Sequence, residues 1–171
     1  MAHDRTLVAA AQRRRIAGRH PMSAAATVQE GGAMADIKGL AQRFNDEVFT
    51  QGKIDVLDEI VADDFVEHQE FPGLAPGKEG LKQFAAMFRE AFSDLKVETL
   101  GVAVDGDELW VHSLMTGTHT GEFAGIPATN KTVSMAMMDR VKTRDGKAVE
   151  HWGVSDDIGM MTQLGVIPEM G

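Results

Sequence analysis

The sequence contains no cysteine. That excludes disulfide frameworks, thiolate zinc sites and cysteine nucleophiles, and it leaves the redox compartment open. No apolar run approaches the ~20 residues a membrane-crossing helix needs. A secretory signal would require an apolar stretch after Arg13-Arg14-Arg15, where the chain instead reads Ile16-Ala-Gly-Arg-His-Pro21. A cytoplasmic protein with no membrane partner is therefore expected. Also missing are histidine pairs at short helical spacing, a glycine-rich phosphate loop between strand and helix, and a Gly-x-Ser-x-Gly elbow. No metal, no nucleotide cofactor and no acyl-enzyme chemistry are expected.

Charge is unevenly placed. The 171 residues carry 17 basic and 26 acidic side chains, a net charge of −9. Residues 1–33 hold five arginines against Asp4 and Glu30, so the remainder is strongly acidic. Repulsion from phosphates argues against a nucleic-acid partner. The length suits one domain. Residues 1–33, with Ser23-Ala-Ala-Ala-Thr27 and Gly31-Gly32, offer little to bury and read as a disordered or non-native extension. An upstream start codon, with Met34 or Met22 the true beginning, would explain it equally. Residues 34–171 are expected to form a single α+β domain.

Ile37, Leu40, Ala41, Phe44, Val48 and Phe49 recur at helical spacing up to Gly52. Ile54, Leu57, Ile60 and Val61 repeat the pattern in a shorter helix. Phe65-Val-Glu-His68 is a short extended piece before the loop Phe71-Pro-Gly-Leu-Ala-Pro-Gly77, and a third helix runs from about Lys78 to Phe92. Strands follow over Leu95–Val104, Glu108–Thr120, Thr132–Thr143 and Ala148–Asp156, with turns at Asp105-Gly-Asp107 and Arg144-Asp-Gly-Lys147. Ile158–Leu164 closes the chain as a turn or short helix. Helices followed by hairpin-linked strands imply an antiparallel sheet, strongly curved and covered on one face. Such a sheet leaves an apolar concavity with a few convergent polar groups.

Several residues suit chemistry there. Alternation along the last strand puts Trp152, Val154 and Asp156 on one face. A carboxylate buried beside tryptophan would have its pKa raised towards the range of proton transfer; equally, Asp156 or Asp157 could simply cap the following turn. His151 would then lie on the opposite face from Asp156. His68 stands at a plausible pocket rim, and His119 ends the long strand on the face of Met115 and Val111. His112 shares the other face with Trp110 and Leu114. Met135 and Met137 share a face with Asp139, so adaptable side chains and a second carboxylate approach the interior. Asp139 could instead pair with Arg140 or Lys142.

The body from Met34 to Gly165 resembles the SnoaL-like polyketide cyclases, also called ester cyclases, of the nuclear-transport-factor-2-like superfamily. The resemblance rests on Ala62-Asp-Asp-Phe-Val-Glu-His68, Pro76-Gly-Lys-Glu-Gly80, Gly117-Thr-His-Thr-Gly-Glu-Phe123, Gly125-Ile-Pro127 and Asp145-Gly-Lys147. It is strongest at Glu150-His-Trp152, the following Asp156, and Gln163-Leu-Gly165. It implies a cone-shaped α+β barrel and an aldol-type ring closure on a small apolar carbonyl compound, with no metal or cofactor. It places the proton shuttle on Asp156, with His68 and His119 as pocket residues that orient the substrate; Trp152, Trp110, Met135 and Met137 are expected to bind the substrate beside them. By analogy it also implies a homodimer. The sequence departs from the family in having His112 where relatives often carry Arg, Ser113 where they carry an aromatic, and a Met-rich strand. The alternatives are a non-catalytic binding or dimerisation module, and an epoxide hydrolase or dehydratase on the same fold. The hydrolase usually needs an Asp–Arg–Asp set, for which Arg140 with Asp139 is the nearest approach.

Overall fold

The computed structural model describes residues 37–69 and 71–168; the expectation for residues 1–33 lies outside them. The first helix begins over 37–42 and widens into a π-helix, α1, at Arg43–Thr50. Its apolar stripe is buried through Leu40, Ala41, Val48 and Phe49. The open carbonyls at its end are taken by Arg89, which donates to the oxygens of Phe49 and Thr50. Helix α2 (Val56–Ile60) runs directly into strand β1 (Val61–Glu67). Helix α3 (Gly77–Ala91) buries Leu81, Ala85, Phe88 and Ala91 on one face, as the helical spacing predicts.

Strands β2 (Lys96–Asp105), β3 (Glu108–Thr118), β4 (Thr132–Arg144) and β5 (Lys147–Ser155) form antiparallel neighbours, and helix α4 (Asp157–Leu164) closes the fold. The sheet order is β1-β5-β4-β3-β2. One expectation is corrected here: β1 pairs with β5 in parallel, so the sheet is mixed rather than wholly antiparallel. The two strands are separated by most of the chain, and alternation within a strand carries no information on such a distant partner.

Curvature comes from local breaks in pairing. The register shifts between Val61 and Val66 on β1, between Thr99 and Gly101 on β2, and at Val149 on β5, opposite the step from Lys142 to Thr143. A bulge bends and twists its strand, and three of them fold the sheet around its inner face. Inward positions of β3, such as Leu109, Val111, Ser113 and Met115, are buried, while Trp110 and His112 point outward.

The segment around His119 is locked in place rather than open. Its backbone exchanges hydrogen bonds with Asn130 and Lys131, and Thr120 and Gly121 both donate to the Ala91 carbonyl at the end of α3. At the C-terminus, Gly165 adopts the left-handed conformation that ends α4. Gln163 then docks that helix on β4, accepting from the Ser134 amide at 2.8 Å and donating to its carbonyl at 2.9 Å. No described helix is long and apolar enough to cross a membrane.

Candidate active site

Three neighbouring strands bring three ionisable residues into one row. In the parallel pairing of β1 with β5, Glu67 faces His151. One step further, β4 pairs with β5 so that Val141 faces His151 and Asp139 faces Gly153. Glu67, His151 and Asp139 therefore project from the same inner face. His151 Nδ1 lies 2.8 Å from both oxygens of Glu67, and its Nε2 lies 3.2 Å from Asp139 Oδ1.

Burial alone would push the His151 imidazole below its ordinary value. Hydrogen bonds to Asp139 and Glu67, and their negative charge, outweigh that desolvation and raise its pKa to about 9. The ring is thus an imidazolium at neutral pH, held between two carboxylates. Their side chains are largely enclosed: 16% of Glu67, 20% of His151 and 24% of Asp139 is exposed. Asp139 bonds His151 through Oδ1, and no described residue hydrogen-bonds its Oδ2.

Asp139 and His151 stand in the wall of a cavity of about 850 Å3 between the helices and the inner face of the sheet. Its surface is mainly apolar, with Phe44, Phe49, Phe84, Phe88, Phe123, Met115, Met135, Met137, Met160 and Met161, and part of its rim is the 71–77 loop. Polar side chains are few: Asn45, Glu67, Gln69, Asp139, His151, Ser155 and Asp157. Asn45 is fixed by donating to Thr99 Oγ1 at 2.8 Å and Ser113 Oγ at 3.1 Å. A separate small cavity of about 60 Å3, also lined by Asp139 and His151, lies beside Leu109, Val111 and Ile60. Among the described residues no group of three His, Asp or Glu side chains is arranged to hold a metal ion. In the row itself both ring nitrogens of His151 are committed to carboxylates.

The structure distributes the residues expected from sequence over both faces of the sheet. Met135 and Met137 line the cavity. Asp156 does not: it is exposed, and its Oδ1 accepts from the Gly159 amide at 2.9 Å as the N-cap of α4. The expectation that its carboxyl opens into the pocket is corrected. Trp152 lies on the outer face with Arg140, and Val154, opposite Met138, is 71% exposed where β5 reaches the edge of the cavity. His68 is likewise on the outer face, stacked on Trp152 with ring centroids 4.3 Å apart and 3.1 Å from Glu150 Oε2. Trp110, 44% exposed, lies outside too, and Arg140 sits beside it and over the Trp152 ring at 4.4 Å. Arg140 thus lies on the face away from Asp139's cavity, and no Asp–Arg–Asp set is assembled around it among the described residues. None of His68, Trp110 and Trp152 lines the cavity.

His119 is inward but sealed. It is fully buried against Phe92, with Nδ1 accepting from the Thr129 amide at 3.3 Å and its Nε2 without a partner among the described residues. Burial lowers its pKa and keeps it neutral. It braces the 119–130 connection and is not part of the cavity wall.

The residues sequence reasoning passed over are Glu67, His151 and Gln69. The parity Asp139 shares with Met135 and Met137 places it inward and gives it no role. His151 was set aside because it alternates with Asp156, and that alternation is real; it is the inward face that was assigned to the wrong set.

Comparison with known proteins agrees with this architecture. The profile of the SnoaL-like polyketide cyclases matches residues 39–164. A nogalonic acid methyl ester cyclase of Streptomyces nogalater is 26% identical over 123 residues, covering 68% of this chain and 89% of that protein. An aklanonic acid methyl ester cyclase of a Streptomyces species is 28% identical over 126 residues, covering 70% and 76%. The solved structure of TsrD from Streptomyces laurentii superposes with a TM-score of 0.72 at 24% identity, over 78% of this chain and 97% of that one. The chain belongs to the SnoaL-like polyketide cyclase family.

Proposed function

We propose that this family member is a cofactor-free acid/base cyclase acting on an apolar, polyketide-ester-like ketone, with Asp139 as the proton shuttle. The observation that carries the reading is the Glu67–His151–Asp139 row set into the wall of a large apolar cavity. The substrate class is supported by the two relatives, whose names give methyl esters of nogalonic and aklanonic acid.

The step balances within the substrate. Asp139 Oδ2 takes a proton from the carbon between two carbonyl groups, and the electron pair left on carbon spreads into those carbonyls. That carbon attacks a second carbonyl carbon, a carbon–carbon bond forms, and the π pair moves to oxygen. The resulting alkoxide recovers the proton from the Asp139 carboxyl group. His151, held positive by Glu67, keeps the Asp139 oxygens oriented and balances their charge through both proton transfers. Phenylalanine and methionine walls exclude water and stack against a flat substrate.

The reading is tested by incubating the protein with each of the two methyl esters and following ring closure by chromatography. Closure of at least one supports the cyclase; binding without closure of either points to a carrier of the same fold.

A second part of the reading concerns assembly. Trp110, Met138 and Val154 expose apolar surface on the outer face of the sheet, and a second copy of the chain is proposed to cover it.

A further inference from the structure

Asp139 can accept a proton, but an enolate forming beside it also needs a donor for its oxygen. The cavity's polar side chains are nearly all spent. Asn45 gives its amide hydrogens to Thr99 and Ser113, Ser155 donates to Asp157 at 2.7 Å, and both nitrogens of His151 face carboxylates. The carboxylates themselves have no hydrogen to give. Gln69 is different. Its backbone amide donates to Glu67 Oε1 at 2.9 Å, which ties it to the carboxylate that holds His151, while no described residue bonds its side-chain carboxamide.

The position of that carboxamide depends on Gly153. This glycine faces Asp139 across the β4–β5 pairing. A Cβ at Gly153 would overlap Gln69 Oε1 and come within 3.1 Å of both Asp139 Oδ1 and His151 Cε1. The carboxamide therefore occupies the space that a side chain at 153 would fill, immediately beside the row. Gln69 lines the cavity, and its carboxamide N–H has no partner among the described residues, so a donor is left there for a ligand.

We propose that Gln69 is the substrate-recognition donor of this site: its Nε2–H binds the ligand carbonyl oxygen that lies beside Asp139, and Gly153 creates the slot that holds it there. This rests on reading the cavity as a site for flat aromatic ketones. A neutral carboxamide suits the task, because a second cation would compete with His151 for Asp139. The bond is present in the ground state and strengthens as charge builds on the oxygen.

The test compares two ligands of one shape, an anthraquinone sulfonate and an anthracene sulfonate substituted at the same carbon. Only the first carries carbonyl acceptors. Calorimetry on the wild-type protein should show the quinone bound about threefold to tenfold more tightly, the effect of one hydrogen bond. Gln69→Leu should bring the ratio to about one while leaving the Kd of the hydrocarbon within about twofold. Gly153→Ala should do the same by expelling the carboxamide, and on the Gln69→Leu background it should add nothing. A quinone preference unchanged in Gln69→Leu overturns the proposal, as does failure of both compounds to bind. Loss of preference in Gln69→Leu, in a protein that closes neither methyl ester, upholds the donor and removes the cyclase reading alone.

Discussion

His151 stands opposite Glu67 in the only parallel strand pair among the described residues, with Nδ1 2.8 Å from both carboxylate oxygens. A strand far from β5 in sequence thus supplies the group that charges a histidine on it. The consequence is a pH dependence with a definite sign. His151 moves from 6.5 when unfolded to about 9 when folded, so its contribution is complete below pH 6.5 and is lost as pH rises through 9. The gap corresponds to roughly 3 kcal/mol. Urea unfolding at pH 6.5 and 9.5 should show a decline of that order in the wild type and a much smaller one in His151→Gln. Equal declines would remove the ion-paired imidazolium.

Asp156→Ala should cost about 1 kcal/mol through loss of the N-cap of α4. Ring closure should be unaffected, because the side chain points away from the cavity. Thermal unfolding and turnover measured on the same sample separate the two effects. A stable but inactive variant would return the chemistry to this residue.

Gly80 is held by contact with the loop below it. A Cβ there would overlap the backbone oxygen of Ala75, which cannot yield as a flexible side chain would. Gly80→Ala should therefore destabilise the fold by about 1–3 kcal/mol despite alanine's better helix propensity. The 71–77 loop lines the cavity, so weaker binding of the anthraquinone sulfonate should accompany the loss. A stabilised variant would contradict this packing.

The outer face offers a separate check. Val154→Glu, at a position 71% exposed, should leave the monomer's stability within about 0.5 kcal/mol. If a second copy covers this face, the same change should halve the mass measured by light scattering. An unchanged mass would place any interface elsewhere.

Much of this was legible in the sequence. Three-and-four spacing located the first helix and α3, and alternation placed Met135, Met137 and Asp139 inward on β4. What alternation cannot supply is which of the two faces of β5 turns inward. The hairpin starts regularly, with Arg144 opposite Lys147 and Thr143 opposite Ala148, through Asp145 and Gly146 at positive φ. Continued without interruption, it would set Asp139 opposite Trp152 and turn Trp152, Val154 and Asp156 inward. The shift between Lys142 and Thr143 leaves Val149 as the extra residue and inverts every later position of β5. His151 and Gly153 turn inward in their place. No local residue pattern announces that bulge, so the face containing tryptophan looked like the interior. The motif around His119 was read as chemistry for a related reason: its hydrogen bonds to Ala91, Lys131 and Asn130 are distant contacts, and they are structural.

In the proposed cyclase one carboxylate, Asp139, moves the proton. The direct measurement is the rate of ring closure of the two methyl esters by Asp139→Asn and, in parallel, Asp156→Asn, with folding checked by circular dichroism. Asp139→Asn should lower kcat by at least about a hundredfold while retaining ligand binding, and Asp156→Asn should turn over at the wild-type rate. Wild-type turnover in Asp139→Asn would contradict the account.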